Sequence, residues 1–295
     1  MLTQLHFRGL FAGLVLAGPF TIASSLSSAD LPVIEPEKKA EAHAAPARPI
    51  AEYVTHEVQG FKVHADPAFT ESESKAVLEL LNADLAKVVE VVPAGALAVV
   101  RTVPIVVTRK TIARPGNGGR GACFHPSSEW LIANGYDAER AGVVEIVSTE
   151  DYTAWRSIQP AMILHELAHA FHWLIGFYRQ DLRDAFNTVV AGKTLYQAVA
   201  HVDGREPARA YALSNDHEYF AELTEAWFWS NDFYPFNRED LKSYDPAGAQ
   251  LIERLWTMDR DALEREVERV NARRVKRDAA DTQPASRDSK EGSQP

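Results

Sequence analysis

The sequence predicts an α+β fold, and three observations lead to it. Residues 103–108 (VPIVVT) and 143–148 (VVEIVS) are short β-branched runs of the kind that bury as strands. Several longer segments repeat apolar residues at helical spacing instead. Strands and helices do not alternate regularly, which argues against a parallel βαβ array.

Taken in order, Thr70-Glu71-Ser72-Glu73 has the form of a capping box. Val77, Leu78, Leu81, Leu85, Val88, Val89 and Val92 follow on one helical face, and Pro93 ends it. After the strand at 103–108, residues 113–128 are rich in glycine. They lack the Gly-Lys-Ser/Thr ending that would cradle phosphate, so they read as a mobile loop over a cleft. A short helix is expected at 128–134, stopped by Gly135. The strand at 143–148 is expected at a sheet edge, where it would pair an extended peptide. Helices are expected at about 160–175, 181–191 and 215–230, with Gly176 and Gly192 between them. Residues 231–236 (NDFYPF) read as packing beneath these helices.

Composition bounds the function. With 295 residues, 46% of them hydrophobic, the chain can build a sizeable core. A net charge of −10 argues against nucleic acid as a partner, because phosphate contacts need a basic surface. That acidity hints at basic substrates, although a diffuse charge of this kind more often serves solubility. The single cysteine, Cys123, excludes an intrachain disulfide.

At the N-terminus, Arg8, the apolar stretch 10–23 and the small residues Ser27 and Ala29 form the pattern of a signal peptide over 1–29. The chain is therefore expected to be exported, secreted or periplasmic, with an uncleaved anchor as the alternative and no other membrane segment. Residues 30–51, rich in Pro and Ala, read as a linker. One domain is expected over 52–258, then a charge-balanced tail over 259–295. Part of that tail, 263–275, has helical character, and its last fifteen residues are expected to be disordered.

The chemistry concentrates in His165-Glu166-Leu167-Ala168-His169, an HExxH pattern inside a strongly apolar helix. Four residues apart, the two imidazoles lie roughly 6 Å apart along the axis and on one face. Both can then reach one zinc ion at about 2.0–2.1 Å. Glu166 is placed as general base toward a water activated by that metal. A catalytic site needs a third protein ligand and an open position. His172 is the nearest candidate, but one straight helix cannot easily converge three ligands, so a packing role suits it better. The second source is the segment 215–227, where Glu218, Glu222 and Glu225 fall at i, i+4 and i+7 among large apolar residues. Carboxylates stacked on a buried helix repel unless cations or donors meet them. Glu218 as zinc ligand and Glu222 as the group holding a ligand histidine would satisfy them, against a simple Asn215/Glu218 cap as the alternative.

HELAH with a downstream Tyr-x6-Glu-x3-Glu pattern resembles the anthrax lethal factor-like zinc peptidases, which include the secreted Pro-Pro endopeptidases. The motifs that carry the resemblance lie between about residues 143 and 236. More broadly, 60–256 looks like exported bacterial proteins of this type. The resemblance implies a zincin-like domain with His165, His169 and Glu218 on zinc and Glu166 as base. It further implies that Tyr211, seven residues before Glu218, stabilises the oxyanion and that Glu222 orients a histidine. A phenol aimed at charge that exists only in the transition state agrees with that role. The chain departs from the toxin in having no recognisable carrier-binding domain. The expected activity is zinc-dependent endopeptidase on a peptide or protein substrate. Alternatives are a non-catalytic zinc- or protein-binding module of the same fold, or a zinc hydrolase of non-peptide amides or esters. A switch role for Cys123 on zinc is the weaker reading beside a buried thiol.

Overall fold

The computed structural model describes residues 48–109, 121–133 and 136–281. The expected signal peptide, nearly all of the linker, the first half of the glycine-rich loop, residues 134–135 and the chain beyond 281 lie outside the described residues.

The architecture is α+β, with one mixed five-stranded sheet and helices packed against it. Strands β1 (Val54–Val58) and β2 (Phe61–Ala65) form an antiparallel hairpin. Its two-residue turn takes positive φ at both Gln59 and Gly60, the primed geometry that matches strand twist. Helix α1 (Glu71–Val91) starts on the expected capping box, with Thr70 and Glu73 bonded reciprocally. Its Asp84, buried on the inner face, accepts hydrogen bonds from Tyr152 and Arg156. After α2 (Ala94–Val100) come β3 (Ile105–Val107), β4 (Ala122–Phe124), α3 (Ser128–Ala133), β5 (Val144–Ile146) and α4 (Thr149–Trp155).

The strand order is β1-β2-β3-β5-β4, with β2, β3 and β5 parallel and β4 antiparallel to β5. This corrects the expectation for residues 143–148. The strand there lies between two neighbours, not at the edge, and all three of its residues are buried. Val144 and Ile146 fill one face with apolar side chains, and Glu145 on the other face is buried only because His125, Thr108 and Arg140 bond to it. The edge on this side is β4, which falls within residues 113–128 and corrects the expectation of a loop there: pairing with β5 makes 122–124 a strand. Gly121 enters β4 at φ +88°, where an added Cβ would lie 2.7 Å from Met162 Sδ.

The second half is helical: α5 (Met162–Ile175), α6 (Gln180–Gly192), α7 (Asp216–Phe228), α8 (Arg238–Tyr244), α9 (Pro246–Trp256) and α10 (Arg260–Asp281). α5 and α7 pack side by side at the centre. Trp256 of α9 cements them, its indole stacked on Phe171 at 4.1 Å and bonded through Nε1 to Thr224. Tyr219 of α7 and Tyr196 both donate to the buried Asp245, which also caps α9. The expected domain limit at 258 falls short of this packing. α10 lies against α2 and α5, with Leu263 fully buried and Val270 nearly so. Among the described residues no helix is long and apolar enough to cross a membrane.

A candidate metal centre between two helices

α5 is apolar almost all round, so its histidines project from a helix buried on most sides. α7 begins at Asn215, whose side chain accepts from the backbone N–H of His217 and Glu218, fixing the first turn that carries Glu218. Where the helices meet, three donor atoms converge. His165 Nε2 lies 3.0 Å from His169 Nε2, Glu218 Oε2 lies 3.1 Å from His165 Nε2, and it lies 3.2 Å from His169 Nε2. A tetrahedral zinc ion with bonds of about 2.0–2.1 Å has ligand–ligand edges of about 3.4 Å. The triangle is therefore of the size one such ion closes, and three protein donors leave a fourth position open. Among the described residues, this set is one of two clusters able to hold a metal; the other joins His165 to Glu222 and Glu225 and shares the same histidine.

The electrostatics follow from crowding. Burial would raise the Glu218 carboxyl, but hydrogen bonds from His165 and His169 hold it far below the usual carboxylate range. Burial would lower His165, yet its bonds to Glu218 and Glu225 hold its pKa well above the ordinary imidazole value.

The group orienting His165 is Glu225. Its Oε1 lies 2.6 Å from His165 Nδ1 and also accepts from Gln159 at 3.3 Å. Glu222, expected in this role, comes only to 3.9 Å, and neither of its oxygens has a hydrogen-bond partner among the described residues. Both carboxylates are essentially fully buried. Burial first, then the neighbouring Glu225 and Asp232, pushes the Glu222 carboxyl well upward. The i, i+4, i+7 stripe was visible in the sequence, but which carboxylate meets the ring depends on how α7 is rotated against α5.

Glu166 leaves the triangle on the β4 side, where its Oε2 accepts from the Phe124 N–H at 2.7 Å. The expected base is thereby fixed to the edge strand, a contact that no motif announced. Tyr211, in a single 3-10 turn before α7, donates to Glu218 Oε1 at 3.2 Å and is about half exposed (47%). Burial of its ring, then the Glu218 charge, pushes its phenol above its ordinary value, so it remains a donor at neutral pH.

His172 is a packed residue, fully buried against Phe177 and Phe220, with Nδ1 3.3 Å from His217 Nδ1. Cys123 belongs to a different group, its Sγ 3.6 Å from His125 Nε2. There the buried Glu145 accepts from His125, Thr108 and Arg140 at 2.8, 2.6 and 2.5 Å. Burial pushes the Cys123 thiol well up, so it stays protonated and a poor ligand. In comparison with known proteins, no family model, no curated protein and no solved structure matches the chain.

Proposed function

We propose that the protein is a zinc-dependent endopeptidase built on a zincin-like domain. The observation that carries this reading is the His165, His169 and Glu218 triangle, closed to 3.0–3.2 Å and flanked by a carboxylate and a phenol. Zinc held there would supply Lewis-acid polarisation of a substrate carbonyl and a water activated at neutral pH.

The chain's own groups divide the remaining work. Glu225 fixes the tautomer and ring plane of His165, leaving Nε2 free to ligate. Glu166, steadied by the Phe124 N–H, accepts a proton from water and returns it to the leaving amine. Tyr211 turns its O–H from Glu218 toward the carbonyl oxygen as charge develops there. A peptide in extended form has β4 to lie against. By the alternation of an antiparallel ladder, Gly121, Cys123 and His125 bond toward β5, while Ala122 and Phe124 face outward. With the Phe124 N–H taken by Glu166, a peptide would pair with the Ala122 N–H and the two outward carbonyls.

The test is metal content together with peptide-library cleavage for wild type and Glu166→Gln. Stoichiometric zinc in both proteins, with cleavage only by wild type, supports a peptidase. Zinc without turnover in wild type would leave a binding module, and turnover confined to non-peptide esters or amides would leave a different hydrolase. Absence of zinc from the full chain would remove the reading.

A further inference from the structure

A cleft of about 1230 Å³ opens beyond the C-terminal ends of β4 and α5. None of its lining residues belongs to the candidate centre, but two of them stand beside it on the same helices. His217, which lines it, precedes Glu218, and Trp173 stands one helical turn beyond His169. The Phe124 ring packs on Trp173 and Phe177 at 5.8 and 6.4 Å, while its own N–H holds Glu166. A peptide laid along β4 past Glu166 therefore runs into this cleft on one side.

The charge of the cleft opposes that of the whole chain, which is −10. Its lining carries Arg179, Arg269, Arg273 and Arg274 against Glu129, Asp181 and Glu266. The acids are largely committed. Asp181 takes Arg179 at 3.0 Å and Arg254 at 2.9 Å, and Glu266 is shared by Arg179 and Arg269. Glu129 accepts from the Ser127 hydroxyl. Arg274 places its guanidinium carbon over the Trp173 ring, 3.5 Å from the centroid, and donates to that residue's carbonyl. Arg273 is exposed and makes no ion pair among the described residues.

We infer that this cleft is a specificity subsite for an acidic side chain, Asp or Glu, on one side of the scissile bond. An arginine fork matches a carboxylate in shape as well as charge, and the aromatic floor takes the aliphatic part of the side chain. The inference rests on the peptidase reading above and adds its substrate class.

The experiment uses the zinc-loaded full chain. A peptide library gives the bonds cut, and matched peptides carrying Glu, Gln or Lys at each flanking position give kcat/KM. Wild type should prefer Glu over Gln by about three- to tenfold at one or more positions on a single side, less so at high salt. In Arg273→Glu that ratio should fall to about one and Lys should gain. Zinc content and circular dichroism of the variant are checked against wild type, so that misfolding is recognised. A Glu/Gln ratio of one at every position in an active wild type sinks the subsite alone. So does a ratio that Arg273→Glu and Arg269→Ala both leave intact. If zinc-loaded wild type cuts no peptide at all, the peptidase reading falls and the subsite with it.

Discussion

Glu225 Oε1 stands 2.6 Å from His165 Nδ1, while Glu222, one turn nearer Glu218, stays 3.9 Å away. The two carboxylates should therefore differ in their effect on metal. Glu225→Gln removes the charge that orients the ring and should weaken zinc binding about tenfold or more. Glu222→Gln breaks no hydrogen bond and should leave affinity within about threefold. Competitive titration against a chromophoric chelator measures both. Equal losses would return the role to the pair as a unit.

Glu166→Gln should keep its zinc and lose cleavage by a factor on the order of 10²–10⁴. Glutamine retains an acceptor for the Phe124 N–H but cannot take a proton, so rate and fold separate cleanly. Single-turnover kinetics with metal analysis on the same sample check this.

Tyr211→Phe should lower kcat about a hundredfold with KM little changed. Because the phenol also donates to Glu218 Oε1, zinc affinity is the control. An unchanged turnover number, or lost zinc with kcat intact on reloading, would reassign Tyr211 to holding the ligand.

The Glu145 cluster gives a prediction about stability. Arg140→Met leaves Glu145 buried without its cation and should cost about 3–5 kcal/mol. Burial opposes ionisation, but His125, Arg140 and Thr108 together hold the Glu145 carboxyl below its ordinary 4.5 in the folded state. The sign follows: the stabilisation is full above about pH 4.5 and is lost as pH falls through the lower folded value. Calorimetric Tm against pH should show that acid limb in wild type and a flatter one in Arg140→Met.

Leu263→Ala on α10 should destabilise the domain by about 2–5 kcal/mol, as a filled core position would. A chain ended at residue 258 should lose at least as much. Chemical denaturation with an unchanged m-value is the check, and an unaffected midpoint would detach α10 from the core.

What the sequence made legible was whatever rests on local chemistry. The Thr70/Glu73 capping box, the apolar helix bearing His165 and His169, and the Asn215 cap are set by residues within one turn of each other. What it hid depends on distant partners. β1 carries Thr55, His56 and Glu57, and its Gln59-Gly60 turn lacks the usual Asn-Gly signal. β4 is three residues long, and its length shows only when β5 pairs with it. α10 looks like a solvated helix because only a few apolar residues, Leu263, Val267 and Val270, do its packing among many charges. The carboxylate face of α7 was visible, but the choice of Glu225 over Glu222 needed the facing helix.

The hydrogen bond from Phe124 N–H to Glu166 also bears on solubility. An open sheet margin invites other chains, and β4 is the margin beside the cleft. Two residues of β4 face outward, and one of the two amide donors they offer is already taken by a charged side chain from α5. The side chain thus guards the margin: a stray strand finds one donor short. Replacing Glu166 by alanine frees that donor, so self-association during refolding should rise in Glu166→Ala and not in Glu166→Gln, which keeps an acceptor for the Phe124 N–H.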